Sequence, residues 1–237
     1  MGRLTPAYFN WSGGKDSTLA LYHILKNKAF DIRYLLTTVN AEADRISMHG
    51  VRSELLLAQA AALGIPAKKV SLPASTDMQA YETAMNQAIS SLKAEHINDC
   101  IFGDIFLEDL RAYREQKLRE AGISAHFPLW KRPTSELIRE FIDLGFKTIV
   151  VCVDSSKLGD EFAGRIIDHE FIRELPAGVD PCGENGEFHT FVFDGPIFRN
   201  PVRFETGEQV IKTYESKNAD QETTEYRFCF QELIPLS

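Results

Sequence analysis

With 237 residues, 44 % of them hydrophobic and 25 % charged, the chain can bury a full core in one generous domain or two smaller ones without metal or disulfide staples. A formal net charge of −8 excludes a protein that is one broad nucleic-acid-binding surface and counts against nucleic acid as a partner. Four cysteines without a Cys-x-x-Cys pair exclude a zinc ribbon and a disulfide framework, no apolar run nears the roughly 18 residues of a membrane span, and no leader pattern opens the chain; a cytoplasmic protein without a membrane partner is expected.

Residues 7–11 read as a short apolar strand, and residues 18–25 carry apolar side chains at helical spacing. Ser12-Gly13-Gly14-Lys15-Asp16-Ser17 joins them. Glycines let the backbone approach an anion, and the free amides of a helix's first turn point at it along the favourable dipole. Lys15 adds a mobile point charge, and the hydroxyls of Ser12 and Ser17 can donate to phosphate oxygens, each charge-assisted bond contributing roughly 1.5–3 kcal/mol. The glycine five residues ahead of Gly-Lys-Ser/Thr in the common nucleoside triphosphatase loop is missing, so this is a different phosphate loop.

Residues 31–39 suit a strand buried on both faces, ending at Asn40. A polar loop over 41–50 precedes a helix over 51–63, closed by Gly64 and Pro66. Residues 68–72 form a third strand, 77–96 a helix, and Cys100-Ile101-Phe102 a fourth strand leading into Gly103-Asp104. This alternation is that of a parallel sheet covered on both faces, where ligands collect at the carboxyl ends of the strands. Ser12, Asn40 and Asp104 each follow such a strand; Asp104 can bind magnesium, place an amine or cap the next helix. In the helix at 108–121, Arg111, Arg114, Lys117 and Arg119 alternate with acids as a solvated, salt-bridged face does.

Pro128 and Pro133 mark the domain boundary, giving an α/β domain over 1–130 with the expected nucleotide crevice and a smaller α+β domain over 131–237. A helix restarts at Thr134, residues 147–153 form a buried strand, and 203–217 with 225–233 alternate as antiparallel strands around a turn at Thr206-Gly207-Glu208. Between them, Asp180-Pro181-Cys182-Gly183-Glu184-Asn185-Gly186-Glu187-Phe188-His189-Thr190 is a stretch no core requires. With Phe188 tucked inward, Glu187 and His189 project to the same side, where a carboxylate beside an imidazole can orient the ring, position an ammonium ion or share a divalent cation. Cys100, Cys152 and Cys229 read as packing thiols, leaving Cys182 alone on a loop. His23, His96 and His169 read as surface or interhelical groups, while His49 lies in the loop after the second strand.

Ser-Gly-Gly-Lys-Asp-Ser resembles the pyrophosphate loop of the N-type ATP pyrophosphatases, of the adenine nucleotide alpha-hydrolase-like superfamily, which implies AMP and pyrophosphate as products. Together with Phe102-Gly103-Asp104-Ile105, Pro128-Leu129-Trp130 and Gly183-Glu184-Asn185-Gly186-Glu187-Phe188-His189-Thr190, it resembles the diphthine–ammonia ligase family over nearly the whole chain. The resemblance implies a doubly wound, Rossmann-like (HUP-type) parallel sheet with a smaller C-terminal domain, ATP and Mg2+ as cofactors, and amidation of a carboxylate acceptor by ammonia, the family's acceptor being diphthine on elongation factor two. Residues 44–52 depart from the tyrosine-rich segment of the eukaryotic ligases and resemble a prokaryotic branch. On this reading Ser12, Gly13, Gly14, Lys15, Asp16, Ser17, Asn40 and Gly103 hold the nucleotide. Lys15, Asp104, Glu184, Glu187 and His189 carry the chemistry, and Asp16 or Asp104 binds the metal. Sulfur transfer to tRNA and a non-catalytic nucleotide-binding module are the alternatives, and a homodimer is open.

Overall fold

A computed structural model describes residues 4–46, 49–73, 77–217 and 223–236. Ser47 and Met48, within the stretch expected as a loop and within the segment that departs from the eukaryotic ligases, lie outside it.

The first sheet is built on β1 (Thr5–Asn10), whose side chains alternate between two apolar environments: Ala7 and Phe9 join one core cluster and Tyr8 the other. β1 pairs in parallel with β2 (Phe30–Asn40) on one side and β5 (Asp99–Ile101) on the other. β4 (Ala67–Leu72) extends the sheet beyond β2, and β6 (Ser124–His126) beyond β5, both in parallel. The order β4-β2-β1-β5-β6 follows. Past the end of β1, the two-residue β3 (Arg45–Ile46) pairs antiparallel with Val39 and Asn40.

Helices α1 (Lys15–Asn27) and α2 (Ser53–Leu63) place Leu19, Leu21, Leu55 and Leu56 against the Phe9 face. α3 (Met78–Ala94) and α4 (Glu108–Glu120) place Ile89, Leu92 and Leu118 against the Tyr8 face. The sheet is therefore doubly wound. The chain moves outward from β1 through β2 to β4, then returns to add β5 and β6, so the topological switch lies between β1 and β5, the position where such sheets open a ligand crevice.

The second sheet is antiparallel, in the order β8 (Phe188–Asp194), β7 (Lys147–Asp154), β10 (Thr223–Pro235), β9 (Phe204–Lys217). The turn expected at Thr206-Gly207-Glu208 is not there. β9 runs straight through these residues, and the register shift opposite them, between Gln231 and Leu233, is a bulge in which Gln231 Nε2 donates to Gly207 O at 2.8 Å. Glycine there marks an irregularity within a long hairpin, not its end.

The two sheets share one apolar core. Leu137, Ile138 and Phe141 of α5 (Thr134–Asp143) are buried with α1, and Tyr22 of α1 meets Phe146 edge-on at 5.9 Å. At the edge of this core, Val192 N of β8 donates to Gly13 O at 3.0 Å, binding the second sheet to the loop after β1.

Candidate active site

The turn from β1 into α1 depends on its glycines. Gly13 takes φ +78°, which an L side chain rarely adopts, and a Cβ on Gly103 would stand 2.7 Å from Ser17 N. Gly103 thus lets the loop after β5 rest on the first turn of α1. Within the turn, Gly14 N donates to Ser12 Oγ at 3.2 Å, the hydroxyls of Ser12 and Ser17 lie 3.0 Å apart, and Ser17 and Thr18 both donate to Gly14 O.

A buried glutamine of α2 fastens the turn from behind. Gln59 Oε1 accepts from Trp11 Nε1 at 2.7 Å, while its Nε2 donates to Gly13 O at 3.0 Å and Val192 O at 2.6 Å. From the second sheet, Thr190 Oγ1 accepts from Lys15 N at 3.0 Å, satisfying one first-turn amide of α1. These contacts set the second motif against the first.

Ser12, Gly14, Lys15, Asp16, Asp104, Glu184 and His189 all line one cleft of about 710 Å3, within the size range of small-ligand sites. A second cavity of about 270 Å3 between α3 and α4 shares Asn10, Tyr81 and Arg114 with it.

Lys15 differs from the mobile charge expected of it. Its ammonium is buried, 2.9 and 2.7 Å from the two oxygens of Asp16, and donates also to the Cys182 carbonyl. Burial acts to lower its pKa, but Asp16 first, with Cys182 and Glu184, together outweigh this and hold it above the ordinary lysine value. The charge is fixed in place. Glu184 is pushed up to about 8, first by burial and then by Asp16, and burial also raises Asp16 despite Lys15. Asp104 is paired with Arg114, which belongs to the cleft and not only to the solvated face expected of its helix.

Glu187 does not stand beside His189. It is buried, its carboxylate accepting from Asp180 N at 2.9 Å, Asn185 N at 2.9 Å and Asn185 Nδ2 at 3.1 Å, so it shapes the loop that carries Glu184. Burial acts to raise its carboxyl, but these donors bring it below the ordinary value. His189 does line the cleft, and burial lowers its imidazole to about 3.

Asn40 also differs from expectation. β1 ends opposite Leu36, so β2 runs four residues past the crevice, and Asn40 Oδ1 turns back to accept from Glu42 N and Ala43 N at 3.0 and 2.8 Å. Thr37 and Thr38 line the cleft in its place. Cys182, the cysteine left on a loop, is buried with its thiol 3.4 Å from Thr134 O, and burial pushes that thiol above its ordinary value.

Two contributors escaped the sequence, and a third, His49, was set apart there only by its place in a loop. Thr190 was read only as part of a motif and Gln59 only as part of a helix, although a glutamine within the apolar run Leu55-Leu56-Leu57-Ala58-Gln59-Ala60 is a visible signal. His49 lines the cleft, its Nδ1 3.0 Å from Thr190 O.

As to a metal, no group of three His, Cys, Asp or Glu side chains is placed to hold one among the described residues. Asp16 and Glu184 are nonetheless raised carboxyls, Asp16 by burial and then Asp180, Glu184 by burial and then Asp16, with Lys15 opposing the rise at both. That suits Mg2+ arriving with phosphate oxygens and waters for most of its ligands, not a cage made by protein alone. Among the described residues, no helix is long and apolar enough to cross a membrane.

A family model described as Diphthamide synthase N-terminal domain matches residues 7–125, and one described as Diphthamide synthase C-terminal domain matches residues 133–220. The chain is similar to proteins named diphthine–ammonia ligase: 30 % identical to that of Rattus norvegicus and 28 % to that of Homo sapiens, each over 49 % of this chain and 46 % of the relative. It is 25 % identical to that of Danio rerio over 84 % of this chain and 86 % of the relative. The matched regions thus span about half the length of the rat and human relatives.

Proposed function

The chain belongs to the diphthamide synthase family, and from that premise we propose that it is an ATP-dependent, AMP-forming amide ligase which activates a carboxylate and transfers the acyl group to ammonia. The acceptor we propose is diphthine, carried on elongation factor two. One observation carries the reading: two stretches about 170 residues apart, the loop from Ser12 to Ser17 and the segment from Cys182 to Thr190, face each other across one cleft.

In this reading the acceptor carboxylate attacks the α-phosphorus of ATP, and pyrophosphate leaves toward the turn at Gly13 and Gly14. Charge grows on the leaving oxygens, and fixed donors in a site shielded from water act most strongly there. The N-terminus of α1 supplies such donors, and the Lys15 ammonium, its N–H groups held by Asp16 and the Cys182 carbonyl, adds a fixed positive charge that needs little reorganisation when the leaving charge appears. Mg2+, when bound on the phosphates, neutralises part of their charge, and Asp16 or Asp104 would hold it. Ammonia then attacks the activated carbonyl and AMP leaves; Glu184 and His189 hold the amine or take its proton, while Glu187 keeps their loop in shape.

The test is Lys15→Ala with AMP and pyrophosphate as readouts. Turnover is expected to fall by a factor on the order of 10²–10³. Near-normal turnover removes Lys15 from the reaction, and ADP in place of AMP overturns the reaction class.

A further inference from the structure

We infer that His49 and His189 together form the binding site for the nucleophile, taking it as neutral NH3 through hydrogen bonds from its N–H groups to bare imidazole nitrogens. The inference rests on the ligase reading above.

The rings come from distant parts of the chain, His49 from the segment after β3 and His189 from β8, and meet with centroids 4.8 Å apart at an interplanar angle of 32°. Gly14 makes room for them: a Cβ there would stand 3.0 Å from His49 Cε1 and 3.3 Å from Thr190 O. The second glycine of the phosphate loop therefore seats an imidazole pair as well as letting an anion approach.

Hydrogen-bond chemistry sets the state of His49. Its Nδ1 lies 3.0 Å from the Thr190 carbonyl, which can only accept, so Nδ1 carries the proton and Nε2 of the neutral ring presents a lone pair. Among the described residues, neither His49 Nε2 nor either nitrogen of His189 makes a hydrogen bond, yet no buried side-chain nitrogen or oxygen lacks a partner. These nitrogens therefore reach the open cleft. Burial lowers His49 to about 4 and His189 to about 3; Lys15 bears on both rings and Lys157 on His189, each disfavouring further positive charge.

A pocket of neutral acceptors beside fixed cations selects NH3 over NH4+. Ammonium sheds its proton to bulk water before entry. Two of the N–H groups of NH3 donate to the imidazoles, and the lone pair is left to form the C–N bond. The carbon–oxygen bond to AMP breaks with its electron pair on the departing phosphate. The nitrogen, cationic in the adduct and far more acidic than free ammonium, then gives one proton to an imidazole Nε2 and is left as the amide.

His49→Asn separates this role from a structural one, because the asparagine amide can still donate to Thr190 O while Nε2 is gone. With ATP, Mg2+, ammonium chloride and diphthine-bearing elongation factor two, we expect the KM for ammonium to rise at least tenfold in His49→Asn and in His189→Asn, and amide formation per ammonium to fall by about 10². One equivalent of pyrophosphate is still released per chain, because activation of the carboxylate precedes the ammonia step, and a single cooperative thermal transition shows that each variant is folded. Wild-type ammonium dependence in both variants overturns the inference alone. A wild-type chain that releases no pyrophosphate with this acceptor overturns the ligase reading and the inference together.

Discussion

Gln59→Leu tests how the cleft is assembled. The side chain is fully buried, with both N–H groups donated to Gly13 and Val192 and its oxygen accepting from Trp11, so leucine keeps the volume and removes every bond. Trp11 Nε1 is then left in the core without an acceptor, at about 1–3 kcal/mol. The two lost donations add roughly 1 kcal/mol each, a modest figure at Gly13 O because Val192 N still donates to it. Leucine returns about 1 kcal/mol in apolar contact. The net loss is about 2–4 kcal/mol, a large share of the roughly 5–15 kcal/mol that holds a native chain together. In urea unfolding followed by tryptophan fluorescence, the midpoint should move down accordingly. ATP affinity should weaken as well, since the same amide holds the phosphate loop to β8. Gln59→Glu should cost more, because a buried carboxylate cannot donate to either carbonyl. A loss below about 1 kcal/mol in Gln59→Leu would refute the view that this glutamine fastens loop to sheet.

Gly103→Ala drives a methyl group into the backbone of Ser17 and is expected to lower stability by about 1–3 kcal/mol and ATP affinity at least tenfold, read by calorimetric titration. Glu187→Gln puts an NH2 group where the carboxylate met only donors and should destabilise by about 2 kcal/mol in denaturant unfolding. The Glu187 carboxyl lies below its ordinary value, so its contribution is present above about pH 4.3 and lost as pH falls through the folded-state value; acid unfolding should begin at a lower pH in Glu187→Gln relative to its own neutral-pH stability. Cys182→Ser should retain turnover, and the native thiol should react slowly with iodoacetamide, as a buried, raised thiol does; loss of turnover would revive sulfur transfer.

The parts of the fold written in local chemistry were readable from the sequence. The glycine pair at Gly13-Gly14, the capping Gly64 and the apolar run ending at Asp154 depend on neighbours within a few residues, and the strands and helices they punctuate stand where expected. What the sequence hid depends on partners far along the chain. Nothing near Thr190 announces that its hydroxyl meets Lys15 N, 175 residues away. Alternation placed Glu187 beside His189, but three donors within its own loop draw the carboxylate inward. The turn residues at Thr206-Gly207-Glu208 serve equally in a bulge, and only the opposite strand decides between the two. Asn40 followed a strand as a site residue should, yet strand length relative to its neighbour, which no single segment records, carried it past the crevice.

The central claim is amide formation with release of AMP, and the measurement that meets it most directly combines the purified chain with ATP, Mg2+, ammonium and diphthine-bearing elongation factor two, scoring nucleotide products and acceptor mass in one reaction. The account predicts AMP and pyrophosphate in equal amounts, with the acceptor lighter by about one mass unit as a hydroxyl is replaced by an amino group. ATP bound but not cleaved, or cleaved with no dependence on any carboxylate acceptor, would contradict it.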